Sequence, residues 1–275
     1  MPTGVVNLDQ GGFGRWHTRV LPPPPDLADI VESSFVLRDE LAPHGSSRIV
    51  PDPSAHLIVV RTREGTARAS VVGARSTFVD IDVSRRQLTL GVRLRPGVLA
   101  DMMRERASSF TDRAFPLEDV MGRSGNALER AHDAEPEVVL DALLGLVRSK
   151  ARAGRGNRTF IAMAQSSSVA AAAHALGMPL RTLHARALEV IGLSPKRVLR
   201  ILRLYRALQT VRPSLGWAGV AAHAGFSDQP HLVREIQALL GETPRQWLAR
   251  GAHHPLRAAD SFKTQLGTRA QLAKP

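Results

Sequence analysis

The chain has 275 residues, 43% of them hydrophobic, with no cysteine and a formal net charge of +12. This length favours two domains, and the hydrophobic fraction can fill ordinary cores, which excludes a chain that is disordered throughout. Without cysteine there can be no disulfide framework, thiolate nucleophile, iron–sulfur cluster or Cys-ligated zinc site.

The N-terminal segment is predicted to be a flexible arm over residues 1–25. It ends in four consecutive prolines, Pro22 to Pro25, which cannot donate backbone hydrogen bonds. It lacks the basic-then-apolar order of a signal peptide, and no apolar run in the chain reaches the roughly 18 to 20 residues that cross a bilayer. These features predict a cytoplasmic protein without a membrane partner.

Residues 26–150 are predicted to form a first domain of strands followed by helices. The segments TFVDIDV and QLTLGVRL alternate apolar with other residues, as half-buried strands do, and favour an antiparallel sandwich or barrel. After Pro96 the pattern becomes helical, and the helix over 137–150 has one apolar stripe. That stripe fits packing on the domain's own sheet or a seam between two subunits.

The stretch SKARAGRGNR carries two glycines and four basic side chains and predicts a linker at 151–160. Residues 161–251 contain no run of strand formers and are predicted to be all helical, with a weakly ordered basic tail at 252–275. Residues 1–160 hold 22 Lys and Arg against 20 Asp and Glu, whereas residues 161–275 hold 15 against 5. This segregated positive charge predicts a polyanion partner.

The C-terminal segment repeats itself at a nearly constant offset. Six positions of the first copy recur in the second: Ala173, Gly177, Leu183, Gly192, Pro195 and Leu199 correspond to Ala221, Gly225, Leu232, Gly241, Pro244 and Leu248. In each copy a small alanine stands where two helices would touch, and four residues later a glycine can take the positive φ of a tight turn. Each copy is therefore predicted to be a helix-turn-helix.

The second helix of each copy is predicted over about 179–190 and 228–240. Between the copies, 194–211 is predicted to form one helix about 27 Å long, which could hold both second helices against one face of DNA. Its arginines are Arg197, Arg200, Arg203 and Arg206. Successive arginines, three residues apart, fall about 60° short of a full turn of the helix and therefore point in different directions. We expect some of them to meet phosphate and the others to pair with acids or stack on neighbours.

Residues 165–250 resemble the paired helix-turn-helix domain of AraC/XylS-type transcriptional regulators, with G-F-S-D-Q and G-x-T-P elements in family order in the second copy. The resemblance implies a bacterial regulator of transcription that binds double-stranded promoter DNA. It implies base contacts by Arg181, Thr182, His184, Gln229, His231 and Arg234, and Arg200 is expected to reach phosphate. Ala185 and Pro230 depart from the family pattern, which has polar side chains at both positions, so neither is expected to offer a polar group to a base.

Residues 26–150 resemble the cupin-like sensor domain that precedes this module in many such regulators, through GVRLRPG at 91–97 and FTDRAFPLEDV at 110–120. The expected fold is therefore α+β: a cupin-like β-sandwich or barrel with appended helices, then an all-α domain. A small-molecule effector, a second copy of the chain and RNA polymerase are candidate partners. No cofactor and no metal are expected, because the histidines do not form a ligand cluster with a carboxylate at suitable spacing.

Two other functions compete with this one. An enzyme is not expected, because the sequence has no G-x-S-x-G elbow, Walker loop or H-E-x-x-H helix, and turnover by residues 1–150 alone would reveal a hidden hydrolase. The main alternative is a ligand-binding or protein-interaction module whose DNA-binding domain is degenerate and weakly specific. Sequence-selective binding to a promoter would separate these functions.

Overall fold

The computed structural model describes residues 5–8, 15–40, 46–130, 133–151, 155–211 and 214–249. An antiparallel sheet region with helices comes first, and an all-helical region with two helix-turn-helix units follows. The predicted α+β class is thereby confirmed, whereas its cupin-like detail stays a prediction. The tail predicted at 252–275 lies outside the described residues.

The sheet region is antiparallel throughout the described strands. The strands are β1 (Val5–Leu8), β2 (Arg15–Leu21), β3 (Val31–Glu40), β4 (Ser46–Ile49), β5 (His56–Thr62), β6 (Ala67–Val72), β7 (Val79–Asp82), β8 (Arg86–Leu94) and β9 (Ala114–Pro116). Seven of them form one sheet in the order β1-β2-β3-β8-β5-β6-β9, and β4 pairs with β7 in a second, two-stranded sheet. Strand β8 lies at the centre of the large sheet and organises its core.

The prediction of a flexible arm over residues 1–25 is wrong for two of its segments. β1 pairs with β2, and β2 pairs along its whole length with β3, from Arg15 opposite Glu40 to Leu21 opposite Ser34. The prolines come after β2 and end it, because they cannot continue a ladder of hydrogen bonds. The prolines therefore do not make the preceding residues of β2 flexible.

One face of the sheet is covered by helices that follow it in the chain. These helices are α1 (Val98–Met103), α2 (Leu117–Met121), α3 (Arg123–Arg130) and α4 (Pro136–Lys150). The apolar stripe of α4, which includes Leu143 and Val147, is buried with Leu90 and Val92 of β8 in a single core. The stripe thus packs on the domain's own sheet.

The remaining helices are α5 (Arg155–Ala164), α6 (Val169–Ala175), α7 (Leu180–Val190), α8 (Pro195–Gln209), α9 (Trp217–His223), α10 (Gln229–Leu240) and α11 (Pro244–Ala249). The linker predicted at 151–160 is already helical from Arg155. Phe160 in this helix is fully buried in a second core, which contains the buried residues of helices α5 to α10. No helix among these described elements is long and apolar enough to cross a membrane.

The two domains meet at a seam that has apolar contacts, since Val50 and Ala74 of the first domain are buried in the second core, and polar ones. In it, the first domain contributes a buried cluster of charges: Arg93 lies 3.2 Å from Glu32 and 2.9 Å from Asp52, and its side chain is 9% exposed. Tyr205 of α8 donates a hydrogen bond to the carbonyl oxygen of Pro51, next to this cluster. Because buried charges need partners, the cluster fixes the loop that carries Pro51 and Asp52 and so fixes where α8 docks.

His56 stands at the edge of this cluster, with Nε2 3.7 Å from Asp52 and its ring edge-on to Phe35 at 6.2 Å. Burial lowers the pKa of His56 to about 4; the nearby Asp52 carboxylate opposes this shift, and the Arg93 guanidinium adds to it. The imidazole is therefore neutral in the folded protein at neutral pH.

We predict that His56 makes the folded protein sensitive to acid. Between its ordinary pKa of 6.5 and its folded value of about 4, the unfolded chain binds the extra proton, so stability falls as pH falls through that interval. Unfolding by urea across this range should show that the wild type loses up to about 3 kcal/mol more than the non-titrating variant His56→Gln. Equal pH dependence in the two proteins would contradict the assignment.

Candidate nucleic-acid interface

The first helix-turn-helix consists of α6 and α7. The hydroxyl of Ser168 caps α6 by accepting a hydrogen bond of 3.1 Å from the backbone N–H of Ala171. The turn passes through Gly177 at φ 61°, a conformation that favours glycine. Helix α7 then begins at Leu180, with Pro179 as its N-cap residue, one residue after the predicted start.

The second helix-turn-helix has the same construction in α9 and α10. Its turn passes through Gly225 at φ 73°. The Asp228 carboxylate caps α10 by accepting a hydrogen bond of 2.6 Å from the N–H of His231. A carboxylate at this place also interacts favourably with the positive end of the helix dipole. The observed bounds lie within one residue of the predicted 228–240.

Both second helices bury one face and expose the other. Leu183 and Ala187 of α7 and Leu232 and Ile236 of α10 are completely buried in the second core. On the opposite faces, five of the side chains predicted to contact bases are exposed: Arg181, Thr182, His184, Gln229 and Arg234. The side chains are thus free to meet a partner, while their contact with bases stays a prediction.

His231 differs from the other predicted base-contacting residues. Its Nδ1 lies 3.0 Å from the Ser227 hydroxyl, and its ring stands edge-on to Phe226 at 5.2 Å. The side chain is half-buried. One ring nitrogen is therefore engaged within the turn, which leaves Nε2 as the atom able to meet a base.

Helix α8 joins the two units and has 15 residues, so it is about 22 Å long. It is shorter than the predicted 194–211 because Ser194 caps its start, accepting from the N–H of Arg197, and Thr210 follows its last turn. Helix α8 packs against α6 and α7 of the first unit and α9 and α10 of the second. It thereby makes one core from both units.

The arginines of α8 turn around the helix and meet different neighbours. Arg200 donates from Nε and Nη2 to the Glu235 carboxylate of α10, at 3.0 and 2.8 Å. Arg203 lies over the Phe226 ring at 5.8 Å, and Arg206 donates to the carbonyl oxygen of Ala164 in α5. For Arg200, predicted to reach phosphate, the geometry instead favours a role in positioning α10.

The first domain contacts the first helix-turn-helix unit, and the sequence analysis did not predict this contact. The one-turn 3₁₀ helix Ala107–Ser109 of the first domain packs against α7. The Thr111 hydroxyl donates a hydrogen bond of 2.7 Å to the carbonyl oxygen of Gly192, just beyond the end of α7. Arg106, Ser108 and the exposed face of α7 line an open groove. No local sequence pattern predicts this contact, because Thr111 and Gly192 are 81 residues apart in the chain.

A second contact of the same kind holds the end of α10. Arg48 donates to the carbonyl oxygens of Leu240 and Gly241 at 3.2 and 2.8 Å. Asp80 holds the same guanidinium through two further hydrogen bonds of 2.7 and 2.5 Å. A cation at the negative end of a helix stabilises that end. The first domain therefore contacts the ends of both exposed helices.

Within the described residues, no group of three or more His, Asp or Glu side chains is arranged to hold a metal ion. The exposed faces of α7 and α10 present cations, amides and a hydroxyl, which are the groups that proteins use for phosphate oxygens and base edges.

One family match lies in each of the two domains. Residues 172–250 match a family described as a helix-turn-helix domain, and residues 19–116 match a family described as a domain of unknown function. The match over 172–250 begins inside α6 and continues through α11. The match over 19–116 begins inside β2 and continues through β9.

Among characterised proteins, the chain is similar to the HTH-type transcriptional activators RhaS of Pectobacterium carotovorum and Pectobacterium atrosepticum. Each is 35% identical over 69 residues, which is 25% of this chain and 25% of the relative. The chain thus matches about a quarter of the length of these relatives. Among solved structures, ToxT from Vibrio cholerae O395 covers 86% of this chain and 98% of its own, with 8% identity and a TM-score of 0.41.

We predict that Arg200 and Glu235 stabilise the second unit as a pair. In a double-mutant cycle with Arg200→Ala and Glu235→Ala, chemical denaturation should give a coupling free energy of about 1 kcal/mol, since the pair is bidentate but partly solvated. At high salt, each single substitution should lower the free energy of unfolding by less. Additive effects of the two substitutions would mean that the ion pair does not hold α10 on α8.

Proposed function

We propose that this chain binds double-stranded DNA and regulates transcription as an AraC-type regulator, because residues 172–250 match a helix-turn-helix family and part of the chain is similar to the transcriptional activator RhaS. One observation carries the proposal: two similar units share one core and leave the same face of their second helices exposed. Helices of that kind enter the major groove with their N-terminal residues towards base edges.

The two exposed faces divide the base contacts between them. In this proposal α7 offers Arg181, Thr182 and His184 to one segment of major groove. Helix α10 offers Gln229, His231 and Arg234 to the adjacent segment. Linker helix α8, about 22 Å long and packed against both units, keeps the two second helices at a constant separation. This rigidity supports the engagement of one duplex by both units.

The first domain would sense a small molecule or join two copies of the chain. Support comes from the sheet face opposite α4, where Phe35, Ile58 and Val60 are only half-buried. On this face the Phe35 ring lies directly over Gly91, at a site where any larger residue would collide with the ring. A sheet with one apolar face packed on helices and a second face whose apolar side chains are only partly covered can accommodate a ligand or a partner.

A degenerate DNA-binding module is the second candidate. Two exposed positions favour it, because Ala185 on α7 and Pro230 on α10 offer no polar side-chain atom to a base. Such a chain would keep phosphate contacts, which depend on charge, and would lose most of its discrimination between sequences. Affinity for selected DNA relative to random DNA therefore separates the two candidates.

We predict that the full-length chain selects a sequence from a random pool of duplexes. Titrations by fluorescence anisotropy should give affinity that falls steeply as salt rises and that remains at least about 10³-fold tighter for the selected duplex than for random DNA. Equal affinity for both duplexes would reject sequence-specific regulation and favour the degenerate module. No binding at low salt would reject both.

We predict that Arg234 specifies one base pair, because an exposed guanidinium can bind guanine O6 and N7 together. Arg234→Ala should cost about 1 to 3 kcal/mol on the selected duplex and should remove discrimination at one position. The matched control is Arg85→Ala, since the Arg85 side chain is 81% exposed on the first domain, at a turn between strands. An equal loss for Arg234→Ala on selected and random DNA would assign Arg234 to phosphate.

A further inference from the structure

A shallow, open groove of about 500 Å³ separates the first domain from the exposed face of α7. One wall consists of Arg106 and Ser108. The other wall consists of α7 side chains: Arg181, His184, Ala185, Leu188 and Glu189. The groove therefore runs along the face of α7 that the proposed function directs towards DNA.

The two walls are held in register by direct contacts at the end of α7. Besides the hydrogen bond from Thr111 to Gly192, the backbone approach there is close: a Cβ on Gly192 would lie 2.5 Å from Thr111 Oγ1 and 2.9 Å from the carbonyl oxygen of Ala107. Arg106 immediately precedes Ala107. Its backbone is thus fixed relative to α7, while its side chain is exposed.

The charges that line the groove suit a polyanion. Arg106 forms no ion pair within the described residues, and Arg181 faces it from α7. The Glu105 carboxylate next to Arg106 is turned into its own loop, where it accepts from the N–H of Arg106 at 3.0 Å and from the Ser109 hydroxyl at 3.1 Å. Glu189 is the one acid among the lining residues.

We propose that this groove holds the sugar-phosphate backbone of the strand that passes α7, and that Arg106 of the first domain contacts one of its phosphates. The inference rests on the proposed function. A helix that lies in the major groove is flanked on both sides by phosphates, so a cation fixed beside its exposed face meets the backbone. The first domain thereby forms part of the DNA interface, with Ser108 as a further hydrogen-bond donor.

The test compares full-length wild type with Arg106→Gln on the selected duplex, between about 50 and 200 mM salt. Loss of one phosphate contact should make the slope of log affinity against log salt shallower by about 0.9. It should weaken binding at low salt about threefold or more, to the same extent on selected and random DNA. Arg85→Gln is the control and should follow the wild type.

A second arm removes the phosphates instead of the side chain. On a shorter duplex that keeps the half-site bound by α10 but lacks the half-site bound by α7 and its phosphates, wild type and Arg106→Gln should bind equally. Unchanged affinity and slope for Arg106→Gln on the long duplex would overturn the inference and leave the proposed function standing. Tighter binding by Arg106→Gln would also overturn it, because the first domain would then obstruct DNA. A wild type that does not bind DNA would overturn both.

Discussion

The burial of helix α8 between the two helix-turn-helix units is the interaction on which the rest of the interface depends. Val198, Ile201 and Leu204 are fully buried, and the helix contacts both units. Complete burial of each such side chain contributes about 1.5 to 3 kcal/mol. Because one helix fills the core that both units share, α7 and α10 are held relative to each other by residues that never reach the exposed faces.

The same burial limits how much of the positive charge is available to a polyanion. Residues 161–275 hold 15 basic and 5 acidic side chains, yet three arginines of α8 are engaged within the protein. Arg200 binds Glu235, Arg203 lies on Phe226, and Arg206 donates to a backbone carbonyl. The cations left for DNA include those on α7 and α10, the exposed Lys196 at the start of α8 and, in our inference, Arg106 of the first domain.

The seam between the domains includes polar contacts that end on the helices of the interface. The buried Arg93 cluster fixes the loop whose Pro51 carbonyl accepts from Tyr205 of α8. Arg48 and Thr111 donate to the carbonyls that follow α10 and α7. Burial raises the pKa of Tyr205, so its hydroxyl stays protonated and remains a donor. The first domain thus contacts the C-terminal ends of both helices whose outer faces are exposed.

The sequence by itself determined the main helices, the turns of the two helix-turn-helix units, and which face of each helix is buried. Periodicity placed α4 and α10, the repeat placed both helix-turn-helix units, and the glycines at their turns have the positive φ that their spacing required. These features are local, since a helix face or a tight turn depends on residues only a few positions apart. The AraC-type resemblance added which exposed residues are expected to meet DNA.

Only the tertiary structure decided the partners of individual side chains. It paired β2, predicted as part of a flexible arm, with β3, and it paired Arg200, predicted to reach phosphate, with Glu235. It also set Arg106 opposite α7. Each of these contacts joins residues distant in the chain, and their geometry follows from how the two cores dock, which no local pattern encodes.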